Sequence, residues 1–109
     1  MIEMPKSDWR YLRSIVDSLI ERASKRMNEE VAEVLARRDL TERAKRAAVE
    51  EMAKKHRQII RHCFDDWGRS EIWLKCRLLV AHGILEERDL DSLTPETAQH
   101  IRSMFQEED

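Results

Sequence analysis

Glycine and proline, the residues that most often break helices and form turns, occur only twice each among the 109 residues of this chain. So few breakers leave room for few turns and favour long helices. Two cysteines are too few for a disulfide framework, so we expect reduced thiols in a cytoplasmic protein. No apolar stretch approaches the ~20 residues of a membrane span. The opening residues MIEMPKSDWR also lack the apolar run of a signal peptide.

Charged residues are abundant but nearly balanced. They make up 39% of the chain with a net charge of −2, which provides no general attraction to nucleic acid. The apolar content of 41% is sufficient for a core, and the length limits the chain to one domain, residues 1–109. From Glu86 to Asp109 there are eight acids and two bases, so the C-terminal segment is acidic.

The first third of the chain has apolar residues at steps of three and four, the spacing of an amphipathic helix. With Ser7 as the expected N-cap, the pattern predicts a helix of about 30 residues, or ~45 Å. A compact domain of 100 residues has a radius of gyration of only ~13 Å, so the far end of this helix needs a cover. A second copy is the simplest cover, and we predict a homodimer. The expected interface residues are Val16, Leu19, Ala23, Met27, Val31, Val34 and Leu35.

Three more helices follow. Thr41 is the expected cap of a second long helix with a narrow, alanine-rich apolar face. Ser70 is expected to cap a third helix that closes at Gly83, and Thr94 and Pro95 open a fourth.

No segment reads convincingly as a strand, so the sequence predicts an all-α fold. We expect a long antiparallel helical hairpin, the stalk, over residues 7–63, and a small helical head over residues 64–109. In the head, the third helix has one stripe of Leu74, Leu78 and Ala81, and Trp73 beside it is expected in the core.

The stretch HCFDDWGRSEIWLK, from His62 to Lys75, collects several chemically versatile residues. His62 and Asp66 would share a metal-binding face only if the helix continued to Asp66, and the chain contains no CxxC or HExxH motif. Cys63 follows His62, but adjacent residues on a helix do not face each other. Cys63 also lies on the apolar stripe, so we expect a buried thiol rather than a nucleophile.

Two other classes of function have partial signals. The basic segments RAKR and KKHR have acids between and beside them, and the preceding helix is too long for a helix–turn–helix, so we expect a solvated charged face and no nucleic acid partner. The segment LRSIVDSLIER resembles the first helix of the all-helical chorismate mutases. In that resemblance, Arg13, Asp17 and Arg22 would bind a dicarboxylate.

The segment KKHRQIIRHCFDDWGRSEIWLKCRLLVAHGILEERDL resembles the C-terminal half of the cyanobacterial fluorescence recovery protein family. That family has an arginine, an aromatic–Asp–Asp sequence, a helix ending in glycine and an acidic turn. The corresponding features here are Arg57, residues 64–66, Gly83 and EERDL. A weaker likeness extends to the N-terminal third through Trp9 and RASKR.

The resemblance implies a non-enzymatic, all-helical homodimer without metal or cofactor. Members of the family bind the C-terminal domain of photoactivated orange carotenoid protein and speed its return to the resting form, which shifts a conformational equilibrium. By the same resemblance, Arg57 would pair with partner carboxylates through its planar guanidinium. The other residues expected at the docking surface are Glu51, Phe64, Asp65, Asp66 and Trp67.

The chain departs from the family upstream of the arginine. The cyanobacterial proteins carry a tryptophan and a His–Asp pair there, where this chain has Ala47 and Glu50–Glu51. Loss of an aromatic anchor can weaken an interface by about 2 kcal/mol or more. The alternative interpretation is therefore a helical dimer with an unrelated partner.

Overall fold

The computed structural model describes residues 3–107. They form five α-helices and one 3₁₀ helix, and this part of the chain contains no strand, which confirms the all-α fold. The helices are α1 (Lys6–Ser14), α2 (Val16–Leu35), α3 (Glu42–Phe64), α4 (Ile72–Ala81) and α5 (Pro95–Glu107), with the 3₁₀ helix Glu87–Ser92 before α5. Four residues of the N- and C-terminal segments considered above lie outside the described residues, namely Met1, Ile2, Glu108 and Asp109.

The predicted 30-residue helix is present as α1 and α2, which are separated by the single residue Ile15. The amide of Ile15 bonds to the carbonyl of Leu12 at 3.3 Å, so the interruption is one tightened turn. Ser7 as the N-cap is wrong. The helix begins at Lys6, and the amides of Asp8 and Trp9 both donate to the carbonyl of Pro5. Because Pro5 has an extended backbone and no N–H, it can cap the helix two residues before Ser7.

Helices α2 and α3 pack against each other. Residues 36–41, which join them, span at most ~20 Å, so after a helix of ~30 Å the chain must reverse direction. Thr41 is confirmed as the cap of α3, because its hydroxyl accepts from the amide of Ala44 at 3.1 Å. The described residues extend over 51 × 26 × 20 Å, with a radius of gyration of 16.5 Å. The molecule is therefore elongated compared with the ~13 Å of a compact domain of this size.

Gly83 ends α4 as predicted. Its φ of 68° is left-handed, its amide bonds to the Val80 carbonyl at 2.9 Å, and the amide of Ile84 bonds to the Leu79 carbonyl at 2.8 Å. These two bonds form a Schellman motif. Ser70 as the cap of α4 is wrong, because the helix begins at Ile72 after a turn that the Glu71 amide closes onto the carbonyl of Gly68.

The stripe of Leu74, Leu78 and Ala81 is not the buried face of α4. Leu74 is 52% exposed and Ala81 is also exposed. Packing against α3 and α5 instead buries the opposite side of the helix. The buried residues there are Ile72, Lys75, Cys76, Leu79 and Val80.

The core lies at the end of the molecule where α1, α4, the 3₁₀ helix and α5 meet the first turns of α2 and the last turn of α3. It includes Leu12, Leu19, Cys63 and Leu79, each fully buried. None of the residues from Ser24 to His62 is buried. Residues 24–62, which include most of α2 and α3, therefore lie outside this core.

Asp8 fastens the start of α1 to the start of α5. Its carboxylate is 2% exposed and accepts from the Thr94 amide at 3.0 Å, the Thr94 hydroxyl at 2.7 Å and the Thr97 hydroxyl at 2.5 Å. Burial alone would raise the pKa of Asp8, but the hydrogen bonds from Thr97 and Thr94 outweigh it and hold the pKa below its ordinary value. An aspartate near the N-terminus of a helix is also favoured by the helix dipole.

A second polar tie fastens α2 to the turn before the 3₁₀ helix. Arg22 donates to the Ile84 carbonyl and to Asp89 Oδ2, both at 2.7 Å, and its Nε lies 3.1 Å from Glu86. One turn later, Arg26 donates to the carbonyl of Gly83. The segments RASKR and EERDL are thus the two sides of one ion-pair network.

Replacing Asp8 with alanine should reduce the free energy of unfolding by about 2–4 kcal/mol, because an amide and two hydroxyls lose a charged acceptor. The stabilisation from a carboxyl with a lowered folded-state pKa is complete above its unfolded pKa of about 3.9 and is lost as pH falls through the folded value. Urea unfolding at pH 7 and pH 3 should therefore show a smaller difference between wild type and Asp8→Ala at pH 3.

The control is Asp17→Ala, which removes an exposed carboxylate of α2 and should change stability by less than about 0.5 kcal/mol at either pH. An equal effect of both substitutions, or a constant effect of Asp8→Ala at both pH values, would contradict the role assigned to Asp8.

Candidate docking surface

The C-terminal half of α3 has a cationic surface. Residues 52–64 contain no acid, and Lys54, Arg57 and Arg61 follow one another at the three- and four-residue spacing that places side chains on one helix face. All three are exposed, and within residues 3–107 they have no hydrogen-bond or ion-pair partner. An exposed arginine without a partner can turn its planar guanidinium toward an incoming carboxylate. This is the role that the family resemblance implies for Arg57.

Lys54, Arg57 and Arg61 lead toward the end of α3, where the chain turns at residues 64–67. We call this turn, which contains two aromatic side chains, the corner. Phe64 is the last residue of the helix, and its ring stacks on that of Trp67 with centroids 6.0 Å apart. The Trp67 indole N–H donates to the Cys63 carbonyl at 2.6 Å, so this side chain satisfies one of the open carbonyls at the helix end. Both rings are half-buried against the core, so each is partly available to a partner and partly structural.

Asp65 and Asp66 form the turn of this corner, and both are exposed. Asp66 has a φ of 55°, a left-handed conformation that aspartate adopts more readily than most residues. Gly68, two residues later, does not have a positive φ and has open space around it. Asp66 therefore makes the left-handed turn.

Lys75 packs under the corner, a role that no motif in the sequence indicates. Its side chain is buried in the face of α4 that contacts α3, and Nζ donates to the His62 carbonyl at 2.8 Å. The lysine thus satisfies a second open carbonyl and places a cation at the negative end of the α3 dipole. The only sign of this role in the sequence is the position of Lys75, three residues after Ile72 and one before Cys76. A lysine at such a position is easily mistaken for an exposed residue.

The predicted docking residues lie along α3 and do not form one pocket. Glu51 and Arg57 border a shallow depression on the middle of the helix, whereas Asp65 and Asp66 border a second one that includes Arg61 and Lys75. From Glu51 to Phe64 the helix rises ~20 Å. We call this ridge, from Glu51 through Arg57 to the corner 64–67, the α3 surface.

The predicted dimer residues divide into two groups. Leu19 and Ala23 are 0% and 8% exposed in the single chain, so their assignment to a dimer interface is wrong, because the head already covers this part of α2. The remaining residues are half-buried or, for Leu35 at 53%, exposed. These are Val16, Met27, Val31, Val34 and Leu35.

Neither thiol has the environment of a nucleophile. Cys63 is fully buried as expected, and burial raises its pKa, although the nearby Lys75 charge acts in the opposite direction. Burial also raises the pKa of Cys76 to about 12. Both side chains are protonated at neutral pH and act as small core residues.

The three residues of the chorismate mutase resemblance make separate contacts. The Arg13 guanidinium lies 5.2 Å from the centre of the Trp9 ring, Asp17 is exposed, and Arg22 is bound to Asp89. They do not converge on one site. In residues 3–107, no three potential His, Cys, Asp or Glu ligands are grouped for a metal ion, and no helix is long and apolar enough to cross a membrane.

Replacing Lys75 with methionine should keep the packing volume but leave the His62 carbonyl without its donor. We expect a loss of about 1–3 kcal/mol in the free energy of unfolding, measured by urea titration. Lys54→Met, which changes an exposed lysine on α3, should leave that value within about 0.5 kcal/mol of wild type. Equal stability of the two variants would show that Lys75 is not a capping residue.

No protein-family model, curated protein or solved structure matches this chain. The likeness to the fluorescence recovery proteins therefore rests on the residues quoted above. The structure adds that these residues lie on the α3 surface and in the ion-pair network.

Proposed function

We propose that this chain is a non-enzymatic, cytoplasmic regulatory protein that acts as a homodimer and resembles the fluorescence recovery proteins. Its partner in this proposal is the C-terminal domain of orange carotenoid protein or a similar domain, and binding accelerates the return of the photoactivated partner to its resting state. The observation that carries the proposal is the exposed Arg57, which has no partner within residues 3–107 and lies in the acid-free segment 52–64 that leads to the Phe64–Asp65–Asp66 corner.

The α3 surface supports binding to a carboxylate-bearing partner. Arg57 can form a bidentate pair with a carboxylate, and the half-buried Phe64–Trp67 stack offers an apolar anchor at the end of the same ridge. Such a protein needs no covalent chemistry. It accelerates recovery if it binds the converting form of the partner more tightly than the photoactivated form, because only differential affinity shifts an equilibrium.

The homodimer is supported by the exposure of α2 and α3. None of the residues from Ser24 to His62 is buried, although this segment carries apolar residues at helical spacing on both helices. In the proposed dimer these helices form a stalk that packs on the same stalk of a second copy, with residues 64–107 as the head. Full burial of each Val, Leu or Met side chain would contribute about 1.5–3 kcal/mol before the cost of association.

A helical dimer with a different partner is the second candidate, and a specific contact favours it. Where the family has a histidine, this chain has Glu50, whose carboxylate lies 3.3 Å from Arg46. Where the family has a tryptophan, Ala47 contributes no anchor beside Arg57. The changed middle of the α3 surface would suit a partner that differs from orange carotenoid protein at the matching position.

The functional test follows the red-to-orange decay of purified, photoactivated orange carotenoid protein with and without this chain. We expect faster decay with the wild-type chain and at least a tenfold loss of that acceleration with Arg57→Leu, because removing an interfacial arginine anchor costs ~1.4 kcal/mol or more.

Arg43→Leu is the matched control, since Arg43 is an exposed arginine near the start of α3, away from the corner. It should retain the wild-type acceleration. No acceleration by a folded wild-type dimer would contradict orange carotenoid protein as the partner. Equal activity of the two variants would contradict the role of Arg57.

The dimer test compares two leucines of equal exposure. Leu35 near the end of α2 and Leu74 in the head are 53% and 52% exposed. Leu35→Glu places a charge in the proposed interface and should reduce the mass measured by light scattering to that of one chain, with helical circular dichroism retained. Leu74→Glu should remain a dimer, and the opposite pattern would locate the interface on the head.

A further inference from the structure

A groove separates the head from the middle of the α2–α3 pair. It has a volume of about 290 Å³ and is open to solvent on one side. Three elements contribute to it, namely α2, α3 and the turn after α4. This size is close to the lower end of the range for small-molecule sites, so the groove would hold a small ligand.

The floor of the groove is apolar. Ala23 and Ile84 are buried at its base, and the flexible side chains of Met27 and Met52 and the branched side chain of Ile59 form its walls. Methionine adapts its shape to a bound group more readily than branched residues. Such a floor suits an aromatic ring or a short hydrocarbon body.

The rim of the groove carries nitrogen donors. Lys55, His56 and His82 line it, and within residues 3–107 none of these three side chains has a hydrogen-bond or ion-pair partner. His56 is half-buried, whereas Lys55 and His82 are exposed. Arg26 also lines the rim, but its guanidinium is already bound to the Gly83 carbonyl and lies 3.4 Å from Glu86.

One cation of the rim is available to an anion. Glu30 is the only acid among the lining residues, and the permanent cations are Lys55 and Arg26, of which Arg26 is paired with Glu86. Because Arg26 is occupied, Lys55 is the cation free to bind an incoming carboxylate. Its ammonium can rotate to meet a negative group, and the imidazole N–H groups of the histidines can donate alongside it.

We propose that this groove binds a small organic carboxylate with an aromatic or hydrocarbon body. The body lies against Met27, Met52 and Ile59, and the carboxylate pairs with Lys55 and accepts from His56 or His82. Val31 and Leu35 do not line the groove, but Met27 does, so the groove borders the surface proposed for a second copy of the chain. The inference does not depend on the proposed protein partner.

A bound ligand would contact both the head and the helix pair. His82 and Ile84 belong to the head, whereas the other lining residues belong to α2 and α3. A ligand that binds only this arrangement of the head and the helix pair would therefore stabilise it, to an extent set by the ligand concentration and the Kd.

The test is a titration of the full ¹⁵N-labelled chain with 3-phenylpropionate, followed by amide chemical shifts. We expect saturable shifts confined to the groove residues, with a Kd on the order of 1 mM, as befits a ligand of this size. The neutral 3-phenylpropanamide should bind at least fivefold more weakly, because it lacks the carboxylate. Acetate, which lacks the apolar body, should also bind at least fivefold more weakly.

Two lysine variants make the test specific. Lys55→Glu should weaken binding of 3-phenylpropionate at least fivefold, whereas Lys54→Glu, one residue away and outside the groove, should leave the Kd within twofold of wild type. The proposal is overturned if the acid and the amide bind equally, if Lys55→Glu has no effect, or if the shifts are absent or spread over the cationic surface of α3.

Discussion

One helix sets the shape of this protein, because it is longer than the rest of the chain can cover. From Lys6 to Leu35 it is interrupted only at Ile15, and at ~45 Å it accounts for most of the 51 Å length of the molecule. The head buries the α1–α2 helix only as far as Ala23. Beyond that point the turn after α4 still contacts Arg26, but no described residue of α2 or α3 up to His62 is buried, which leaves two amphipathic helices with partly exposed apolar faces. The homodimer proposal follows from this constraint.

The head is positioned on the long helix by two polar ties and by the core between them. Asp8 holds the start of α5, and Arg22 holds the acidic turn at Asp89. Asp89 has a lowered pKa, because although burial opposes ionisation, the hydrogen bonds from Arg22 and the Glu86 amide outweigh it. RASKR and EERDL form one contact that fixes the head, whereas Arg57 and the corner lie on the α3 surface on which the proposed function depends.

Local signals in the sequence predicted those features that depend on a few neighbouring residues. Thr41 caps α3, and Gly83 ends α4 in the left-handed conformation that glycine adopts without strain. Ser7 and Ser70 carry the same type of signal, but the helices begin elsewhere because Pro5 and the turn at Gly68–Glu71 offer other starts.

Features that depend on distant packing could not be predicted in this way. Helical periodicity shows which face of α2 is apolar but not what covers it. It therefore predicts Leu19 and Ala23 at a dimer interface, although the head covers them. The buried face of α4 depends on α3 and α5, which is why Leu74 proved exposed and Lys75 buried. Lys75 and Asp66 shape the candidate site through contacts and a backbone conformation that no motif reveals. Arg57, Phe64 and the two aspartates come from the family resemblance, and their role at a docking surface stays a prediction.

The most direct test of the account is amide hydrogen exchange of the unmodified chain at two protein concentrations a hundredfold apart. If α2 and α3 pack on a second copy, amides in residues 27–35 and 44–56 should exchange more slowly at the higher concentration, because dimerisation adds to their protection. Amides in the head, such as those of α4, should change much less. Exchange in both helices that does not depend on concentration, in a sample whose mass remains that of one chain, would contradict the central claim that this fold is completed by its own copy.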